Sequence, residues 1–300
     1  MKIAYQHLLE HISSKPSIEE ISAKLFQLGH EHEIQDCIFD IEFTPNRGDC
    51  LSIKGLLRDL AVFYKINLNL EEYDKNIESL KIDFVNTEIE KCPYISFLKI
   101  ELENLNILDY KGPLKEYFDD LDINKNNFFT DISNYISYET GQPTHCYDAL
   151  KINGTLSIKE ITDNLIFNTL TDQEIKLTDS NLVFLDDKEV INLAGVMGSK
   201  RTSCSTLTKS VIVECAYFNP EDILGKSVKY DVQSDAAYKF ERGVDPNSQE
   251  SVLRRFLKIV SEHANIKNVE IYSKKFIEYK CTKLKFNEKI INKINGTNIS

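Results

Sequence analysis

The sequence predicts an α+β fold. It divides into a small N-terminal α/β unit over residues 1–70, a linker over 71–90, a mixed-sheet unit over 91–275, and the start of a further domain over 276–300. Three observations carry this reading. Many short runs alternate or are apolar in the manner of strands, few helical stripes flank them, and polar, poorly periodic residues separate the first unit from the second. With 300 residues and 42% hydrophobic content, the chain is long enough for two or three packed cores.

In chain order, Ser17-Ile-Glu-Glu20 is a capping box that starts a helix. Ile18, Ile21, Leu25 and Leu28 form its apolar stripe, and Gly29 stands where a left-handed C-terminal residue belongs. Cys37 to Phe43 alternates like a half-buried strand, and Thr44-Pro-Asn-Arg-Gly-Asp-Cys50 punctuates it. A second helix follows, with Leu56, Leu57, Leu60, Ala61 and Tyr64 on one side. Leu182 to Ala194 reads as strand, turn and strand, turning at Asp186–Lys188, and Ser210 to Tyr217 is a further strand. Asp245-Pro246 is expected to start a helix whose buried face carries Val252, Phe256, Val260 and His263 or Ala264. A last apolar pattern (Leu284, Phe286, Ile290, Ile291, Ile294) stops at Gly296 and reads as the opening of a domain, so the chain is expected to be a fragment.

Composition narrows the function. No run approaches about 18 consecutive apolar residues, so no membrane-spanning helix is expected. The start, Met1 to His7, has no signal-type apolar core. Seven widely spaced cysteines without a CxxC pair fit a reduced, cytoplasmic protein lacking structural zinc. A net charge of -11 argues against binding nucleic acid by charge alone. Residues 271–300 nevertheless carry seven lysines against Glu278 and Glu288. A solvated face and a phosphate-contacting patch both fit that run.

Two side chains stand out chemically. Glu214 lies inside the apolar strand Val211-Ile-Val-Glu-Cys-Ala-Tyr217, where a carboxylate is costly unless it is paired. Alternation puts it on the face of Ile212 and Ala216, opposite Val213. A structural ion pair or a water-facing edge position would explain it as well. His145 lies in Glu139 to Asp148, where Gly141 and Pro143 suggest an irregular loop; a histidine bonded to a loop carbonyl is the plainer reading. Ala194-Gly-Val-Met-Gly198 offers two glycines for close backbone approach, without the spacing of a nucleotide fingerprint. Glu241, Arg242 and Asp245 read as a local salt-bridge network. No HExxH, GxSxG or zinc set is present, which disfavours metal hydrolysis and a serine triad.

Taken together, these strings resemble one family. Thr44 to Ser52 followed by Gly55 to Ala61, Asp131-Ile-Ser-Asn-Tyr135, Gly141 to His145, Leu193 to Gly198, Glu214 to Phe218 and Ser234 to Pro246 are similar, in order, to motifs of the bacterial-type phenylalanyl-tRNA synthetase β subunit. The resemblance implies that residues 1–70 are a B1-like domain, that 91–275 are the B3/B4 editing domain, and that 276–300 begin a B5-like domain. It implies hydrolysis of tyrosine misattached to tRNA(Phe), with His145 and Glu214 as catalytic residues. Gly198, Ser234, Ala236 and Asn134 would line the substrate pocket. The implied partners are an α subunit, in an α2β2 assembly, and tRNA(Phe), with no DNA and no membrane. ATP and Mg2+ would serve the whole complex, with none bound by this segment. A free-standing trans-editing hydrolase, or a structural tRNA-binding β subunit with a degenerate pocket, are the alternatives. Three departures stand out. The tRNA-binding OB-fold insertion is missing, because Gly29 to Ile34 runs almost directly into the strand before Thr44. The usual basic residue upstream of Asp131 is replaced in Asp122 to Asn127, unless Lys125 stands in for it. The magnesium-binding acids of B5 would lie beyond residue 300.

Overall fold

The computed structural model describes residues 1–105, 107 and 109–298. The first unit comprises β1 (Lys2–Ala4), α1 (Tyr5–Leu9), α2 (Ile18–Gln27), β2 (Glu31–Gln35), β3 (Ile38–Glu42) and α3 (Ile53–Leu60). Next come β4 (Glu78–Ser79), β5 (Phe84–Asn86), β6 (Tyr94–Leu102), α4 (Gly112–Asp120), α5 (Phe128–Thr140) and β7 (His145–Asp148). Six strands follow: β8 (Leu156–Ile161), β9 (Leu165–Asn168), β10 (Glu174–Leu177), β11 (Asn181–Leu185), β12 (Val190–Leu193) and β13 (Met197–Gly198). Then β14 (Ser210–Tyr217) leads to α6 (Pro220–Ile223), α7 (Lys226–Tyr230), α8 (Asp235–Phe240) and α9 (Gln249–His263), and the chain closes on β15 (Ile266–Lys275) and α10 (Glu288–Asn295). The class is α+β, as the composition of elements predicts.

The capping box is present in full: Ser17 Oγ accepts from the Glu20 amide, and the Glu20 carboxylate accepts from the Ser17 amide at 2.8 Å. Ile21 and Leu25 are buried beneath α2, and Gly29 is left-handed at φ +82°. Asp36 and Cys37 are both left-handed and turn β2 back into β3, so that strand begins at Ile38, one residue later than its alternation suggests. This two-residue turn leaves no room for an inserted barrel between the hairpin strands. The Thr44 to Cys50 motif is a clamp. Arg47 donates to Asp49 at 3.0 and 3.1 Å, to Cys50 Sγ at 2.7 Å and to Asp59 at 2.6 Å.

Segment 71–90, expected as linker, instead supplies an edge strand to each large sheet. β4 joins the order β4-β15-β6-β14-β7, and β5 joins β13-β12-β11-β8-β5. Its polar composition suits edge positions, with Glu78 and Ser79 exposed. The first sheet is sandwiched. Leu98, Ile100, Leu102, Val211, Val213 and Cys215 pack towards α5 and α9, in a cluster that continues into the N-terminal unit through Leu56 and Leu57. Ile95, Phe97, Ile212 and Ala216 pack against the second sheet. The predicted strand, turn and strand is β11 and β12, and Asp186 closes the turn by accepting from the amides of Lys188 and Glu189. Helix α9 begins at Gln249, later than Asp245-Pro246, because Asp245 Oδ1 accepts from the Asn247 amide and holds those residues in a turn. Helix α10 buries no residue and ends at left-handed Gly296.

Candidate functional site

The site lies between the two five-stranded sheets. On β14, Glu214 pairs with Phe97 of β6 and with His145 of β7, so the two candidate residues are register partners. Glu214 faces the second sheet between Ile212 and Ala216, as alternation requires, and is only 4% exposed. Its burial is compensated by Tyr147, whose hydroxyl donates to Oε2 at 2.6 Å, and by Asn192, whose Nδ2 lies 3.5 Å from the same oxygen. Asn192 Nδ2 also donates to the Tyr147 oxygen at 2.9 Å. Burial pushes the Glu214 carboxyl up to about 7, while the bonds from Tyr147 and Asn192 pull it down. The group therefore titrates near neutrality.

His145 is not in an irregular loop. Gly141 ends α5 at φ +82°, Gln142 Nε2 donates to Pro143 O and Ala216 O at 3.0 Å, and this tether delivers His145 as the first residue of β7. Its ring stands edge-on to Tyr147, with centroids 4.4 Å apart. Nε2 is shut off from solvent without a hydrogen-bond partner among the described residues. Burial pushes its pKa down to about 4, so the imidazole is neutral at physiological pH.

The other expected residues converge on the same place. His145, Glu214, Gly198, Ser234, Ala236 and Asn134 all line one cavity of about 210 Å³. Gly198 is required there for a reason the sequence did not reveal: a Cβ would lie 2.6 Å from His145 Nε2 and closer still to Cε1. Ser234 is more committed than a free substrate-binding hydroxyl, since it donates to Val196 O at 2.6 Å and accepts from the Ala237 amide at the start of α8. It thereby ties α8 to the turn before Gly198. A second cavity of about 640 Å³ adjoins the first, sharing Asn134, Pro143, Thr144, Asp235 and Ala236.

Several expectations take a different form. Lys125 stands over the Tyr110 ring at 4.7 Å, and Tyr110 donates to Asp131 at 2.8 Å. That cation is therefore not among the residues lining either cavity. Arg242 pairs with Glu241 and stacks on Tyr238, but Asp245 takes no ion pair with them. His30, Cys50 and Asp59 present ligand-type atoms within 4.8 Å of one another, yet Arg47 already supplies positive charge to Cys50 and Asp59. Sequence reasoning missed Tyr147 and Asn192. Both carried a usable signal: Tyr147 is two residues from His145 on one strand face, and Asn192 is the polar residue in an apolar strand.

Comparison with known proteins shows what this chain is similar to. Residues 95–265 match the family model of the B3/4 domain. The phenylalanine–tRNA ligase β subunit of Fusobacterium nucleatum is 31% identical over 273 residues, covering 89% of this chain and 34% of that one. The β subunit of Legionella pneumophila is 34% identical over 254 residues, covering 81% and 31%. The chain thus spans about a third of the length of these curated relatives. A solved N-terminal fragment of the phenylalanyl-tRNA synthetase β subunit from Pyrococcus horikoshii aligns over 100% of this chain and 85% of the fragment, with a TM-score of 0.43 and 14% identity.

Proposed function

This chain belongs to the B3/4-domain family of phenylalanine–tRNA ligase β subunits, and from that premise we propose that it edits misacylated tRNA(Phe) by hydrolysing its tyrosyl ester. The observation that carries the proposal is the register pair His145–Glu214 on the wall of a cavity of side-chain size. At about 210 Å³ it falls below the roughly 300–1,000 Å³ of pockets that bury whole drug-sized ligands. One aromatic side chain suits it; a nucleotide does not.

Recognition then rests on Glu214. A tyrosine hydroxyl entering the cavity donates to the carboxylate, whereas a phenylalanine ring leaves acceptor capacity unused in a desolvated site. Gly198 and Ala236 present no bulky side chain to the ring. The ribose and terminal base of the RNA occupy the adjoining cavity, whose shared wall includes Asn134 and Thr144. In the reaction, water adds to the ester carbonyl carbon, the bond to the ribose oxygen breaks, and that oxygen takes up a proton. His145, neutral at physiological pH, is a weak base, so its role is to orient water or a ribose hydroxyl from the cavity wall. In this reading the chain works in the cytoplasm with an α subunit and tRNA(Phe), and ATP and Mg2+ serve the complete ligase.

The test is deacylation of Tyr-tRNA(Phe) and Phe-tRNA(Phe) by wild type, His145→Ala and Glu214→Ala. Wild type is expected to clear the tyrosyl ester selectively, and Glu214→Ala to lose tyrosine hydrolysis or selectivity. Equal, slow deacylation by all three proteins would refute the assignment.

A further inference from the structure

We propose that Tyr147 and Asn192 are positioning residues for this hydrolysis, anchoring one carboxyl oxygen of Glu214 so that the other is offered to the substrate hydroxyl. The proposal rests on the editing reading and concerns how its specificity group is held. The three side chains come from three strands and both sheets: Glu214 from β14, Tyr147 from β7 and Asn192 from β12. All are buried, at 4%, 0% and 4% exposure.

The bonds run in one direction. Asn192 Nδ2 donates to the Tyr147 oxygen at 2.9 Å, and the Tyr147 hydroxyl donates its single proton to Glu214 Oε2 at 2.6 Å. The same Nδ2 lies 3.5 Å from Oε2, so a reversed amide would press its oxygen against the carboxylate. Such a relay is polarised towards the carboxylate and strengthens each member. Oε1 makes no hydrogen bond to a described residue, on a side chain that lines the cavity.

Two consequences follow for specificity. A phenylalanine ring in the cavity leaves only Oε1 without a donor, because Oε2 keeps its protein partners. Rejection of phenylalanine is therefore set by one acceptor position rather than by a wholly unpaired carboxylate. The relay also governs protonation, since burial raises the Glu214 pKa and both bonds oppose that rise. Other titratable groups around Glu214 are His145 and Cys146 on β7, Cys92 ahead of β6, Cys215 on its own strand, and Asp235 at the head of α8. Burial holds the three thiols well above their usual range, hence neutral, and keeps His145 neutral too. None of these groups shields Glu214 with a positive charge near pH 7.

Tyr147→Phe removes one oxygen and keeps the ring against His145. Deacylation of Tyr-tRNA(Phe) by the full chain is followed from about pH 5 to about pH 9, with the uncatalysed rate subtracted. In wild type the rate is expected to rise through about 7. In Tyr147→Phe the midpoint moves up by about one unit, lowering the rate at neutral pH about five- to tenfold, with recovery at high pH. Asn192→Leu, which removes the relay's far end, moves it the same way by less and serves if Tyr147→Phe does not fold. Variant midpoints that stay at the wild-type value overturn this inference, whether or not the rate falls uniformly. No hydrolysis by wild type at any pH overturns the editing reading, and this inference with it.

Discussion

Replacing Gly198 by alanine adds one methyl group at the most crowded point of the site. The new Cβ would stand 2.6 Å from His145 Nε2, whereas ordinary contact begins at 3.4 Å, so the ring must retreat by at least 0.8 Å. It has little room to do so, because Tyr147 stands edge-on at 4.4 Å and Nε2 is already sealed. Overpacking of this kind costs about 1–3 kcal/mol of stability. Displacing an orienting group by about 1 Å lowers the rate by about 10²-fold. Single-turnover deacylation of Tyr-tRNA(Phe) measures the second effect and thermal unfolding the first. The loss should act through His145, so Gly198→Ala combined with His145→Ala should be no slower than His145→Ala alone. A Gly198→Ala protein within twofold of wild type would refute the steric reasoning. A double variant far slower than His145→Ala would show instead that the methyl closes the pocket to the ring.

Further predictions concern titration and the N-terminal clamp. Glu214 has a folded pKa raised from 4.5 to about 7, so the folded state binds the extra proton in that window and stability falls as pH rises through it. The shift corresponds to about 3 kcal/mol. His145, lowered from 6.5 to about 4, works the opposite way: the unfolded state binds more protons there, so its contribution is lost as pH falls below 6.5. The two nearly cancel in wild type between about pH 5 and 6.5. Glu214→Gln removes the opposing member, so melting temperature should climb more steeply with pH across that window than in wild type; parallel curves would contradict these shifts. Arg47→Lys should lower stability by about 1–2 kcal/mol despite keeping the charge, because an ammonium cannot span Asp49, Cys50 and Asp59 as the guanidinium fork does. A urea midpoint matching wild type at equal slope would disprove that the fork matters.

Much of the local structure was legible because it depends on near neighbours in the chain. The capping box at Ser17, the stop at Gly296 and the β11–β12 turn each satisfy backbone groups with residues two to four positions away. The face on which Glu214 lies followed from strand periodicity alone. The same local rules misplaced the start of α9 and called 71–90 a linker, since an edge strand of two or three residues has no periodicity to detect. His145 and Glu214 drew notice by their chemistry, but the six cavity-lining residues were grouped in the sequence only as family motif positions, and their convergence on one cavity is a property of the packed sheets.

What the sequence determined by itself was therefore the class, the main elements and the presence of a carboxylate in an apolar strand that some partner had to satisfy. Which partner did so was decided by tertiary structure. Tyr147 and Asn192 lie 67 and 22 residues from Glu214 along the chain; Tyr147 reaches it once β7 pairs with β14, and Asn192 only when the two sheets stack. That stacking also removes the water that would hold His145 and Glu214 at their ordinary pKa values, and desolvation depends on the whole surrounding layer, which no local pattern records.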